Sequence, residues 1–77
     1  MSLRFTDLQV GSRAKVINTA QVEESYRKKL IHMGLIPGTV FEVVRVAPLG
    51  DPMEIQLRAF SLSLRRAEAA NIEVELL

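Results

Sequence analysis

The chain has 77 residues, 48% of them hydrophobic, and ten basic against nine acidic residues leave a net charge of +1. A chain this short is one domain, residues 1–77, burying only about 60% of the surface its unfolded form exposes; with no cysteine, neither disulfides nor a thiolate zinc site can supplement the core. The balanced charge argues against a phosphate backbone as main partner, and no apolar run approaches the roughly 20 residues of a membrane span.

Leu3 to Gly11 reads as a lead-in, with Leu8 and Val10 as anchors and Gly11 as a turn. The segment MSLRFTDLQVGSR lacks the apolar centre of a signal peptide, so a cytoplasmic location is expected. Ala14 to Ile17 has the character of a short strand. From Val22 the period changes: Val22, Tyr26, Leu30 and Met33 form one stripe of a helix over Val22–Met33, starting between Val22 and Glu24. Glu23 and Glu24 stand four residues before Arg27 and Lys28, the favourable order for ion pairs. Gly34 is expected to stop the helix in a left-handed conformation, with Leu35 folding back toward Leu30.

After Pro37 the period falls to two. Val40–Ala47 is a strand whose alternation breaks at Val43 and Val44, which predicts a bulge or a bend with both faces covered. Pro48–Pro52 is a loop. Met53, Ile55 and Leu57 alternate with polar residues, as do Phe60, Leu62 and Leu64, giving two half-buried strands with a short turn near Ala59. Arg65–Asn71 is a single helical turn. Ile72–Leu76 closes the chain with Ile72, Val74 and Leu76 on one face. Leu57, Leu62, Val43 and Ile72 should share one core. About five short strands with one helix after the first, and a short helical turn before the last, predict a mostly β fold: a small SH3-like barrel that closes on itself and hides its edges.

The stretch Tyr26–Glu75 resembles the FeoA family, the small accessory proteins of ferrous iron transport. Three runs carry the resemblance together: Leu30, Gly34, Pro37 and Gly38; Arg45 to Pro52, reading RVAPLGDP; and Ser61 to Arg66, reading SLSLRR. It implies an SH3-like barrel and a non-enzymatic cytoplasmic helper of the membrane ferrous iron transporter FeoB, which carries a GTP-binding domain. Docking on the cytosolic part of FeoB would alter its assembly or gating. Related barrels in iron-dependent repressors supply the alternative, a regulatory module associated with transcription control. Weak self-association is compatible with either; nucleic-acid binding and membrane insertion are not expected.

No catalytic set is present. The only histidine, His32, is followed by Met33, and adjacent helical side chains diverge by roughly 100°, so no metal site is expected. Gly34 and Gly38 follow a helix instead of preceding one, which does not suit a phosphate loop, and no cofactor is expected. The candidate partner-binding residues are therefore on the surface. Pro48, Leu49, Gly50, Asp51 and Pro52 form a stiff loop whose apolar tip either tucks onto its own barrel or projects as a finger. Arg27, Lys28, Arg65 and Arg66 are the basic candidates: solvated helix faces in the plain reading, or a meeting point for an acidic patch on a partner protein.

Overall fold

A computed structural model describes residues 2–77. Six antiparallel strands form one sheet in the order β1-β6-β2-β3-β4-β5: β1 Ser2–Arg4, β2 Arg13–Asn18, β3 Val40–Val46, β4 Met53–Gln56, β5 Ser61–Leu64 and β6 Glu73–Leu76. Helix α1, Glu24–His32, connects β2 to β3, and the short α2, Arg66–Ala69, connects β5 to β6. The sheet curls around a core built on Phe5, Leu30, Leu35, Phe41, Val43, Met53, Ile55, Ile72 and Val74, all buried. The rings of Phe5 and Phe41 lie 5.9 Å apart at 36°, within the range where aromatic pairs attract beyond simple burial.

Helix α1 follows its sequence closely. Val22 and Leu30 are buried, while Tyr26 and Met33 pack against the core from its rim. Burial, and secondarily the charge of Glu68, raise the Tyr26 hydroxyl above its ordinary pKa. At the C-terminus, Gly34 takes φ +87°. Its N–H donates to Ile31 C=O at 3.0 Å, and Leu35 N–H donates to Leu30 C=O at 2.9 Å. This is the Schellman pattern expected from the glycine, and it seals two carbonyls that would otherwise lack partners.

The N-terminus of α1 is arranged differently from the expected Glu–Arg and Glu–Lys pairs. Glu23 is the capping residue, and its carboxylate accepts from Ser25 N–H at 3.4 Å and from Ser25 Oγ at 2.6 Å. Among the described residues the only ion pair joins Lys15 to Glu75, at 3.5 Å. A nearby backbone donor outcompetes a flexible base four residues away, whose ordering costs side-chain entropy.

The bulge expected near Val43 is present, since the β3–β4 register shifts between Val43 and Arg45. The extra residue turns Val44 outward, so the outer face is not covered there. The short turn near Ala59 is a two-residue hairpin, in which Leu57 N–H donates to Phe60 C=O at 2.8 Å.

Three expectations are corrected. There are six strands, because Ser2–Arg4 pairs with β6 and places Leu3 opposite Val74; α1 therefore follows the second strand. The strand order is linear with β1 and β5 at its ends, so hydrogen bonding does not close the sheet into a barrel. The 3-10 turn at Phe5–Asp7, which follows β1, is in contact with α2, which follows β5. Phe60 is 46% and Leu76 53% exposed, whereas Leu57, Val43 and Ile72 share the core and Leu62 packs against it from its rim, as expected, though only partly buried. Phe60, Leu62 and Leu76 lie at a strand end or on the edge strand, where no neighbour covers the outer side, and Leu64 is the residue of β5 that is buried.

Candidate functional site

The loop between β3 and β4 is a tied structure. Gly50 N–H donates to Ala47 C=O at 2.7 Å, which closes a β-turn with Pro48 and Leu49 at its centre, and Ala47 N–H donates to Pro52 C=O at 3.1 Å. Proline at the second turn position pre-sets the backbone angle that the turn needs. Gly50 takes φ +88°, a region that a side chain disfavours. The Asp51–Pro52 peptide bond is cis.

Arg66 anchors this loop. Its Nε donates to Gly50 C=O at 2.5 Å, its Nη1 to Thr6 C=O at 3.3 Å, and its backbone N–H to the Asp51 carboxylate at 2.8 Å. One side chain thus ties together the loop, the start of α2 and the 3-10 turn after β1. The planar fork of a guanidinium can reach two carbonyls at once, which lysine cannot do.

The outcome for the tip is unambiguous: Leu49 is 97% exposed. The finger geometry is the one adopted, held from below by Arg66 and from the sides by Pro48 and Pro52, both exposed. The basic candidates separate. Arg66 is partly buried and its side chain is bonded within the fold, to Gly50 and Thr6. Arg65 beside it is exposed. Lys28 is exposed and Arg27 half-buried on α1; no hydrogen bond or ion pair among the described residues joins either to the loop.

Sequence reasoning passed over a shallow apolar groove of about 420 Å³ lined by Gly34, Thr39, Val40, Leu57, Arg58, Ala59 and Phe60. Its signal was available in part: Phe60 and Val40 each stand at a strand end, where alternation no longer guarantees burial. No group of three or more histidine, cysteine, aspartate or glutamate side chains placed to hold a metal ion occurs among the described residues. The arrangement presents an exposed apolar projection on a loop tied to the rest of the fold.

Arg66→Ala is expected to loosen the loop while leaving the domain folded. Two side-chain hydrogen bonds from a charged donor are lost, about 1–3 kcal/mol in a partly exposed setting. Heteronuclear NOE values at Leu49 and Gly50 should fall toward those of a mobile segment, and Arg66→Lys should not restore them. Unchanged values in Arg66→Ala would show that the prolines alone hold the loop.

Comparison with known proteins follows the same outline. The family model for the FeoA domain matches residues 3–76. The Fe(2+) transport protein A/Fe(2+) transporter FeoB fusion protein of Porphyromonas gingivalis is 36% identical over 75 residues, which cover 97% of this chain and 9% of that protein. Among solved structures, FeoA from Chlorobium tepidum superposes with a TM-score of 0.89 at 39% identity, covering 97% of this chain and 70% of that one. The zinc-complexed FeoA of Stenotrophomonas maltophilia, described as a prokaryotic SH3 domain protein, superposes at 0.76 with 21% identity, covering 95% of this chain and 89% of that one; at that identity the likeness is one of fold. The fold is SH3-like, with six strands and an open strand order.

Proposed function

The chain belongs to the FeoA family, and from that premise we propose that it is a non-enzymatic accessory module of bacterial ferrous iron uptake that docks on the cytosolic part of the GTP-binding transporter FeoB. The observation that carries this reading is the fusion protein of Porphyromonas gingivalis, in which a domain similar to this chain and FeoB form one polypeptide. A covalent link fixes a high effective concentration of two modules, which is useful where they act on each other. The exposed Leu49 finger supports a contact role, since a stiffened loop loses little freedom on binding. The docking surface proposed is Pro48, Leu49, Gly50, Asp51 and Pro52, with Arg65 beside it; Arg27 and Lys28 on α1 are the second surface to test.

No helix among the described residues is long and apolar enough to cross a membrane. The repressor-type alternative is not supported by the helices: α1 and α2 are separated by three strands and form no helix-turn-helix pair.

A module can shift a transporter's equilibrium only by preferring one of its states. The test is association with the purified cytosolic part of FeoB, measured without nucleotide, with GDP and with a non-hydrolysable GTP analogue. Affinities are expected to differ at least fivefold between two of these conditions, about 1 kcal/mol of coupling. Equal affinity in all three would reduce the role to assembly, and no association at all would overturn the docking reading.

A further inference from the structure

The two ends of the sheet are treated differently by the chain. At β1, Phe5 N–H donates to Ile72 C=O at 3.0 Å. In an antiparallel ladder hydrogen-bonded pairs alternate with non-bonded ones, so Leu3 faces β6 with its backbone groups and Arg4 faces outward. That outward donor is covered, because Arg4 N–H donates to the Asp7 carboxylate at 3.0 Å.

At β5 the same parity argument gives an open edge. Leu57 N–H donates to Phe60 C=O, which makes Ile55/Leu62 and Met53/Leu64 the hydrogen-bonded pairs and leaves Gln56/Ser61 and Glu54/Ser63 unbonded. The N–H and C=O groups of Ser61 and Ser63 therefore point away from β4, the only strand paired with β5 among the described residues. Among the described residues, neither amide donates to a side chain. Both serines are exposed, and their short side chains leave room beside the backbone. An edge of this kind is a template for another strand unless something blunts it.

We propose that the β5 edge is a docking surface that takes up an extended, acidic segment of a partner protein by strand addition, with the backbone of Ser61 and Ser63 supplying the hydrogen bonds. The charge around the edge selects this occupant. Arg58 lies in the turn before β5 and Arg65 directly after it; both are exposed and neither is in an ion pair among the described residues. Glu54 on β4 stands between Ser63 of β5 and Arg45 of β3 in the register, so the acidic ends of the occupant, not its centre, carry the charge match. An added strand with acidic ends would thus meet an arginine at each end. A second copy of this chain fits poorly: antiparallel pairing of Ser61 with the other copy's Ser63 brings the exposed Arg58 of each copy to the strand end where the exposed Arg65 of the other stands, like charge against like. This surface shares Arg65 with the one around the Leu49 finger, but its backbone donors are separate and it does not depend on the transporter reading.

The test uses the whole chain, labelled with 15N, and a blocked peptide of alternating threonine and valine with two glutamates at each end. The Ser61 and Ser63 amides are expected to shift on titration and to exchange with solvent at least tenfold more slowly. The same peptide with lysines in place of glutamates should bind at least tenfold more weakly. Ser63→Pro removes an outward donor without touching the β4 ladder, a position where an edge strand tolerates proline. It should weaken glutamate-peptide binding tenfold or more, while Ser63→Thr should not. The proposal is overturned if the two serine amides neither shift nor slow at millimolar peptide, if both peptides bind equally, or if a folded Ser63→Pro binds like the parent. Concentration-dependent dimerisation through the same amides without peptide would assign the edge to self-pairing and also overturn it. Should Ser63→Pro not fold, Arg58→Glu combined with Arg65→Glu decides: the preference must reverse toward the lysine peptide, and an unchanged preference counts against the proposal.

Discussion

Phe5→Ala is expected to lower the melting temperature by on the order of 15–30 °C, the largest stability effect of any substitution considered. The ring is fully buried, stacked at a tilt on Phe41, and its backbone N–H is bonded to Ile72 C=O. Phe5 thereby fills the core at the place where β1 turns into the 3-10 segment that contacts α2. Truncating a buried phenylalanine costs about 3–5 kcal/mol, partly lost transfer energy and partly the cavity left behind. At roughly 0.05–0.15 kcal/mol per residue, a domain of this length holds only about 4–12 kcal/mol in total. Circular dichroism melts of the parent and the variant check this directly, with Phe60→Ala as the comparison. Phe60 is half in solvent and should shift the melt by only a few degrees. A Phe5→Ala melt within a few degrees of the parent would mean that the core does not rely on this ring.

Leu49→Ala should do the reverse. With 97% of the residue already in water, its truncation removes almost no buried surface, and the melting temperature should stay within a few degrees of the parent. Association with the cytosolic part of FeoB is expected to weaken about thirtyfold, the effect of losing roughly 2 kcal/mol at a central apolar anchor. Ferrous iron uptake in cells should fall with it. Titration calorimetry and a melt on the same preparation separate the outcomes. A large loss of stability would place Leu49 in the core against its exposure. Unchanged stability with unchanged association would move the contact surface to Arg27 and Lys28 on α1 or to Arg65.

These two leucine and phenylalanine sites illustrate how much of the molecule could be read in advance. Features written into a local repeat were legible. The 3.6-residue stripe from Val22 to Met33, the glycine stop at Gly34, the break in alternation at Val43 and Val44 and the short turn near Ala59 each depend on backbone geometry within a few residues. The three motif runs that mark the FeoA family are likewise local, and the stiffness of the Pro48–Pro52 loop follows from its composition. The candidate site was therefore located in sequence, while its geometry was not: nothing in RVAPLGDP indicates whether Leu49 tucks in or projects.

What the tertiary structure alone decided concerns residues whose partners are distant along the chain. Arg66 reads as a basic surface residue because a lone arginine carries no period; only the fold brings its fork to the carbonyls of Gly50 and Thr6, 16 and 60 residues away. Three residues are too few to show alternation, so β1 becomes visible only once β6 lies beside it. The exposure of Phe60 and the partial exposure of Leu62 depend on β5 being an edge. Alternation assigns a side chain to one face of a strand, but burial also requires a neighbour over that face. Whether a neighbour is there depends on how the sheet ends, and that is settled by long-range pairing and by the packing of Phe5 and α2.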